Sequence, residues 1–313
     1  MAGEFELIRQ YAPKGAARED VVLGSGDDAA LLQPPPGHQL VATVDTLIAG
    51  RHFPLQTAAF DIGWKALAVN LSDLAAMGAE AAWVTVALSL DRDAEQMEAW
   101  MADFCAGIDA LAQDSGVAVV GGDLTAGPLS VTIQALGYLE PHTALRRDTA
   151  QAGDVVAVTG CLGDAALALQ LLQAGTSVPQ ALLERLNRPS PRLREGRALA
   201  GKAHAAIDIS DGLLADLGHI LEASELGAVL YSERLPTSDA FNTHCPPQDV
   251  SRLQLSGGDD YELCVCLPAD LAEAMSQSLT IIGELTAEAG LSVQTADGQK
   301  VRVEKGGYDH FAK

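Results

Sequence analysis

The stretch that most restricts the fold is AAFDIGWKALAVNLSDLAAM, residues 58–77. Almost every position is apolar or small, and the residues are mostly good helix formers, so the run predicts a strongly apolar helix. Such a helix is stable only when other layers cover most of its surface. The flanking sequence supplies strands for that purpose. LVATVDTL (40–47), AAWVTVALSL (81–90) and LSVTIQALGYL (129–139) are rich in β-branched residues, and VAVVGGD (117–123) runs into a glycine turn. A long amphipathic pattern over 93–115 predicts a second helix. VVLGSGDDAALL (21–32) reads as two short strands around a glycine-rich turn, after which PPPGHQ stops any helix. Residues 5–11 suggest a short helix. Strands and helices alternate through the first half, the pattern of an α/β protein.

Around PHTALRRDTAQAGD (141–154) the composition turns polar before the fresh strand VVAVTG (155–160), which places a domain boundary near 140–150. The expected domains are 1–142 and 143–313. A length of 313 residues with 48% hydrophobic content can fill two cores. In the second half a helix is expected over about 163–173, and Pro189 and Pro191 set the start of another. AAIDISDGLLADLGHILEAS (205–224) reads as strand, turn and helix, and LQLSGGDDYELCVCL (253–267) as strand-like on both sides of a Gly-Gly-Asp-Asp turn.

The formal charge of -22 repels nucleic acid and anionic membranes, both of which need a basic footprint. It repels ATP equally, so a polyphosphate ligand must arrive with divalent cations that neutralise carboxylates and phosphate oxygens together. Acidity that serves only solubility has the same composition; the placement of the acids decides. No run approaches the length of a membrane span, and the N-terminus suggests no secretion signal. The five cysteines have no CxxC pairing and read as reduced cytosolic thiols, with Cys264 and Cys266 packing on one strand face.

Asp27, Asp28, Asp45, Asp123, Asp208, Asp211, Asp259 and Asp260 all sit at strand ends or glycine turns. Glycine lets backbone approach a ligand, and Asp offers the hard oxygens that Mg²⁺ prefers. A single Asp-Gly turn is more often plain turn chemistry; a series of four or more points to a site. Asp73 shares a helix face with Asn70 in the apolar run. A carboxylate there calls for a cation or a strong hydrogen-bond partner, unless it lies on the helix surface. Ser210 or Asp211 can cap the helix that follows, whose N-terminus is also suited to phosphate.

Two spacings imitate nucleotide motifs. Gly24-Ser25-Gly26-Asp27-Asp28-Ala29 matches a dinucleotide fingerprint, but Pro34 to Pro36 leave no room for its helix. Gly196 to Gly201 followed by Lys202 imitates a Walker A loop, but position 203 is Ala and the segment reads as helix.

Six segments, GDDAALL, VDTLIAGRHF, KALAVNLSDLAAMGA, GGDL, IDISDGL and SGGDDYEL, follow one another in order, and KGGYDHF comes last. Taken together they resemble the thiamine-monophosphate kinases of the aminoimidazole-ribotide synthetase superfamily over nearly the whole chain. The resemblance implies a two-domain α/β fold: an N-terminal domain whose sheet pairs across a homodimer, a C-terminal mixed α/β domain, and an active site in the cleft between them. It implies phosphorylation of thiamine monophosphate to thiamine diphosphate by the γ-phosphoryl group of ATP, with several Mg²⁺ ions, in the cytoplasm. Metal positions fall on Asp28, Thr43, Asp45, Asp73, Asp123, Asp208 and Asp211. Nucleotide contacts fall on Gly122, Asp123, Arg147 and Ser210, and substrate contacts on His52, Asp259 and Phe311. Of these, Asp45, Asp73, Asp123, Arg147 and Asp211 are expected to carry catalysis. The chain departs from the pattern at Asp259, where Glu is commoner, and at Val44, where a hydroxyl residue is often found. A ligase or selenophosphate synthetase of the same superfamily, and an acidic cation-binding protein, are the competing readings; the chain lacks the N-terminal Cys of the second and the local DxDxDG loop of the third.

Overall fold

The computed structural model describes residues 10–91 and 94–301. The chain divides into two units. One runs to Leu74 and from Ala79 to Pro141; the other holds Ala75–Gly78 and the chain from His142 onward.

In the first unit, β1 (Val21–Leu23) and β2 (Leu31–Leu32) form a small antiparallel pair, so the fingerprint-like glycines turn between strands and precede no helix. A four-stranded sheet follows: β3 (Gln39–Ile48), β4 (Glu80–Ser89), β5 (Ala118–Thr125) and β6 (Ser130–Leu139), in the order β3-β6-β4-β5. β4 and β5 are parallel, as the intervening helix Ala94–Ser115 requires. The apolar run forms the helix Ala59–Ala76, and Leu67, Leu71, Leu74 and Ala75 are fully buried. The two long helices pack almost backbone to backbone. A Cβ on Gly63 would lie 2.1 Å from the Phe104 carbonyl oxygen, and one on Gly107 would lie 2.0 Å from that of Phe60, so only glycine fits at either position.

The other face of the sheet is only partly covered. Val21, Ala30 and Leu32 of the hairpin pack against Trp83, Val120 and Tyr138. Along edge strand β3 the pleat turns Leu40, Val44 and Ile48 outward, 58%, 59% and 44% exposed.

The second unit is built on a six-stranded mixed sheet, β12-β9-β11-β7-β10-β8. Its strands are β7 (Val155–Val158), β8 (Ala205–Asp208), β9 (Gly227–Tyr231), β10 (Leu263–Leu267), β11 (Thr280–Thr286) and β12 (Gly290–Gln294). Both faces are covered, so β8 and β10 read as continuous apolar runs with no alternation. Val156, Val158, Cys264 and Cys266 meet Leu213, Leu217 and Ile220 of the helix Leu213–Ser224. On the opposite face Ala157, Leu263, Val265 and Leu267 pack with Leu145, Leu199 and Ala272. The cysteine pair therefore packs, as expected, and all five thiols are free.

Of the false Walker spacing only residues 196–199 lie in the helix Leu193–Leu199; Gly201, at a φ of 69°, and Lys202 lie in the turn that follows it. Two expectations about elements fail. β5 runs through Gly121 and Gly122 and on past Asp123 to Thr125, still paired with β4, so no glycine turn ends it there. The segment before Gly257 is the helix Val250–Ser256, although LQL alternates like a strand. Leu253, Gln254 and Leu255 are all buried, and a turn buried on every side carries no readable period. Of the expected helix at 5–11, only Gln10 and Tyr11 fall within the described residues, and both are helical. Among the described residues no helix is long and apolar enough to cross a membrane.

Candidate active site

In the first unit the chemistry gathers where β3 faces the helix Ala59–Ala76. Thr43 and Asp45 lie two apart on β3 and so share a face. The Thr43 hydroxyl donates to Asp73 Oδ2 at 2.5 Å. Asn70, fully buried, donates through Nδ2 to the Ala66 carbonyl at 3.0 Å. Its Oδ1 accepts the Asp45 backbone N–H, also at 3.0 Å. Asn70 thereby ties strand to helix and sets the two carboxylates near each other. Burial, and then the charge of Asp73, push the Asp45 carboxyl up to about 6.

Asp123 lies on β5, where a Cβ on the preceding Gly122 would come 2.0 Å from the Val86 carbonyl oxygen. Gly122, Asp123, Asp27 and Asp28 line one cavity of about 390 Å³ whose interior is apolar, with Val86, Met101, Phe104 and Val120 among its walls. The Asp28 N–H donates to Asp27 Oδ1 at 2.8 Å, which fixes the turn that carries both acids. His52 follows β3 in a tight loop. Its Nδ1 accepts the Ile48 N–H at 2.9 Å, so the neutral ring carries its proton on Nε2.

In the second unit Asp208 ends β8, 5% exposed, and the turn Ile209–Gly212 leads into the helix Leu213–Ser224. The expected cap is not there: the N-cap is Gly212, without a side-chain bond. Instead Asp216 reaches back from within the helix. Its Oδ2 accepts the N–H groups of Ser210, Asp211 and Gly212 at 3.0, 3.1 and 3.1 Å. These donors are satisfied by the chain's own carboxylate and are not open to a phosphate. Burial pushes the Asp216 carboxyl up to about 7 against the pull of those N–H groups.

The 257–262 turn is fastened to the same backbone. Asp259 donates its N–H to the Ser210 carbonyl at 2.9 Å, Tyr261 to that of Ile209 at 2.8 Å, and Ile209 to that of Glu262 at 2.8 Å. Asp259 and Tyr261 both have positive φ, 68° and 49°. The Tyr261 hydroxyl donates to Asp259 Oδ1 at 3.1 Å. Asp260, grouped from sequence with the site acids, turns inward instead: at 1% exposure both its oxygens accept the Gly163 N–H at 3.0 Å. Glu262, fully buried, takes Arg192 in a two-pronged pair at 2.6 Å, Arg185 at 2.7 Å and the Thr159 hydroxyl at 2.6 Å. Arg147 is exposed, and its backbone carbonyl accepts the Ser224 hydroxyl at 2.8 Å. Phe311 lies outside the described residues.

Among the described residues no three His, Cys, Asp or Glu side chains converge into a metal-sized cluster. The structure brings Thr43, Asp45 and Asp73 together; it puts Asp28 and Asp123 on one cavity, and Asp208, Ser210 and Asp211 on one turn fastened to Asp259. Sequence reasoning passed over Asp216 and Glu262; an acid inside an apolar stretch, as in YELCVCL, was the available signal.

An α/β unit with acids on its strands β3 and β5, followed by a mixed-sheet unit with the IDISDGL turn, defines a class. Residues 26–139 match the N-terminal domain of AIR synthase related proteins and residues 151–296 the C-terminal domain. The chain belongs to this family and, within it, to the thiamine-monophosphate kinases. It is 44% identical to thiamine-monophosphate kinase of Escherichia coli K12, over 99% of this chain and 98% of that one. It superposes on the crystal structure of thiamine-monophosphate kinase from Stenotrophomonas maltophilia K279a with a TM-score of 0.83 and 48% identity, covering 91% and 93% of the two chains. A structure of AaThiL complexed with AMPPCP and TMP matches with a TM-score of 0.80 and 31% identity over 91% of each chain.

Proposed function

We propose that the protein transfers the γ-phosphoryl group of ATP to thiamine monophosphate, giving thiamine diphosphate and ADP. The observation that carries this reading is the end-to-end likeness to kinases of that substrate, one of them solved with an ATP analogue and TMP together.

The residues fit Mg²⁺. They offer hard carboxylate oxygens, and Asp45 is a half-buried acid whose carboxyl is raised by burial and by the charge of Asp73, the situation a divalent cation relieves. Asp28, Thr43, Asp45, Asp73, Asp123, Asp208 and Asp211 are the residues that would hold the ions. When bound, Mg²⁺ neutralises and aligns the two phosphate groups.

This chain's own residues do the rest. The acceptor is a phosphate monoester, largely dianionic at pH 7, so its attacking oxygen needs no general base. No residue has to be assigned one. His52, its Nδ1 occupied by Ile48, offers Nε2–H as a donor to the substrate. Asp259 supplies a negative charge for the thiazolium cation, and Phe311 an aromatic ring. The backbone around Gly122 can approach the nucleotide closely, and the apolar cavity beside it suits a heterocyclic base. Ser210 and Arg147 contact the nucleotide, Ser210 through its side chain because Asp216 holds its N–H, and Arg147 adds positive charge at the transferring group. Five free thiols fit the reducing cytoplasm, and the bare face of β3 fits a homodimer joined through the N-terminal sheet.

Incubation with Mg²⁺, ATP and thiamine monophosphate tests the reading. Thiamine diphosphate and ADP are expected in equal amounts; phosphate transfer to another acceptor, with none to thiamine monophosphate, would overturn the substrate assignment.

A further inference from the structure

Asp216 is a buried acid that the reaction does not use, and its bonding is unusual for its place. It is the fourth residue of its helix, after the Gly212 N-cap, yet its carboxylate serves residues that precede the helix. Of the three N–H groups it accepts, that of Gly212, the N-cap, is one of the helix's own unpaired donors, whereas those of Ser210 and Asp211 precede the helix, so helix capping accounts for one bond and not for the other two. Each is a bond to a carboxylate in a buried setting, stronger than a neutral pair and costly to leave unmade. The turn they hold is itself the anchor of another. Its carbonyls at Ile209 and Ser210 accept the N–H groups of Tyr261 and Asp259, two non-glycine residues held at positive φ. Left-handed backbone costs such residues of the order of 1 kcal/mol each and persists only where neighbours enforce it.

We propose that Asp216 is a positioning residue that sets Ser210 directly and Asp259 at one remove, so that the nucleotide contact and the thiamine phosphate contact are held by a single carboxylate. The inference rests on the roles given to Ser210 and Asp259 above.

The test is steady-state kinetics, with thermal melts as a check of folding, on D216A, D216N, D259A and the D216A/D259A double variant. D216A is expected to raise KM for both ATP and thiamine monophosphate by about tenfold. D216N keeps an oxygen that can accept all three N–H groups and should stay within about threefold of wild type. Because Asp259 is already misplaced in D216A, the double variant should show a KM for thiamine monophosphate no higher than that of D259A. A folded D216A with both KM values unchanged, even with a lowered melting temperature, overturns the proposal; so do D216A and D259A effects on KM for thiamine monophosphate that multiply in the double variant. Should D216A not fold, D216E keeps the charge but pushes the turn outward by one methylene; the same rise in both KM values is expected, and unchanged values count against the proposal. If D259A leaves KM for thiamine monophosphate unchanged, the role given to Asp259 fails, and the ATP KM of D216A then decides for Asp216 alone.

Discussion

Asp73 survives in an otherwise apolar helix because Thr43 gives it a hydrogen bond and Asn70 fixes the strand it faces. Its charge, not its shape, is what the reaction would use. Asp73→Asn keeps the volume and an acceptor for Thr43, so activity should fall by at least about 100-fold while the melting temperature changes little; activity and melting assays on one preparation check both. Asp45 gives a prediction in pH. Its carboxyl is raised to about 6 in the folded chain, above the unfolded value, so folding favours its protonated form. The associated stability is present below about pH 4 and lost as pH rises through about 6. In EDTA, wild type should therefore lose stability relative to Asp45→Asn between pH 5 and pH 7.5, and Mg²⁺ at the higher pH should restore it. Melting curves of both proteins with and without the ion decide.

At the scale of elements, the 208–212 and 257–262 turns form one piece, and Glu262 is the post behind it. Removing its charge by Glu262→Ala would take from Arg185 and Arg192 the carboxylate they share, leaving Arg185 the longer contact to Asp164 at 3.8 Å, at a cost of about 3 kcal/mol or more; urea titration should show the lowered midpoint. The strands that carry Asp45, Asp123 and Asp208 could be read from sequence, since β-branched runs obey short-range rules, but of the three acids only Asp208 ends its strand; the pairing of β3 and β5 runs on past Asp45 and Asp123. Asp260 and Glu262 could not be read in this way. Their partners Gly163 and Thr159 lie 97 and 103 residues away, and nothing local distinguishes an acid that faces a buried N–H from one that faces a ligand. The helix Val250–Ser256 looks like a strand in sequence for a related reason: burial on all sides erases the alternation on which strand and helix are told apart.

For the whole molecule, the first unit leaves Leu40, Val44 and Ile48 bare on the edge strand of its sheet. Edge strands with exposed apolar residues are usually protected by a partner. Val44→Lys, placed opposite Gln134 and away from the carboxylates, should turn a dimer into a monomer in light scattering while each unit stays folded. A wild-type protein that runs as a monomer would remove the homodimer from the reading.

The second unit carries a consequence in time. β7, its first strand to be made, lies inside the sheet between β10 and β11, with Val158 paired to Cys264 on one side and to Thr280 on the other. A ribosome adding about 5–20 residues per second needs roughly 5–20 s to supply those neighbours. For that interval an apolar strand waits with both edges unpaired. The second unit is therefore the part of the chain whose yield on expression should depend most on temperature and on chaperones.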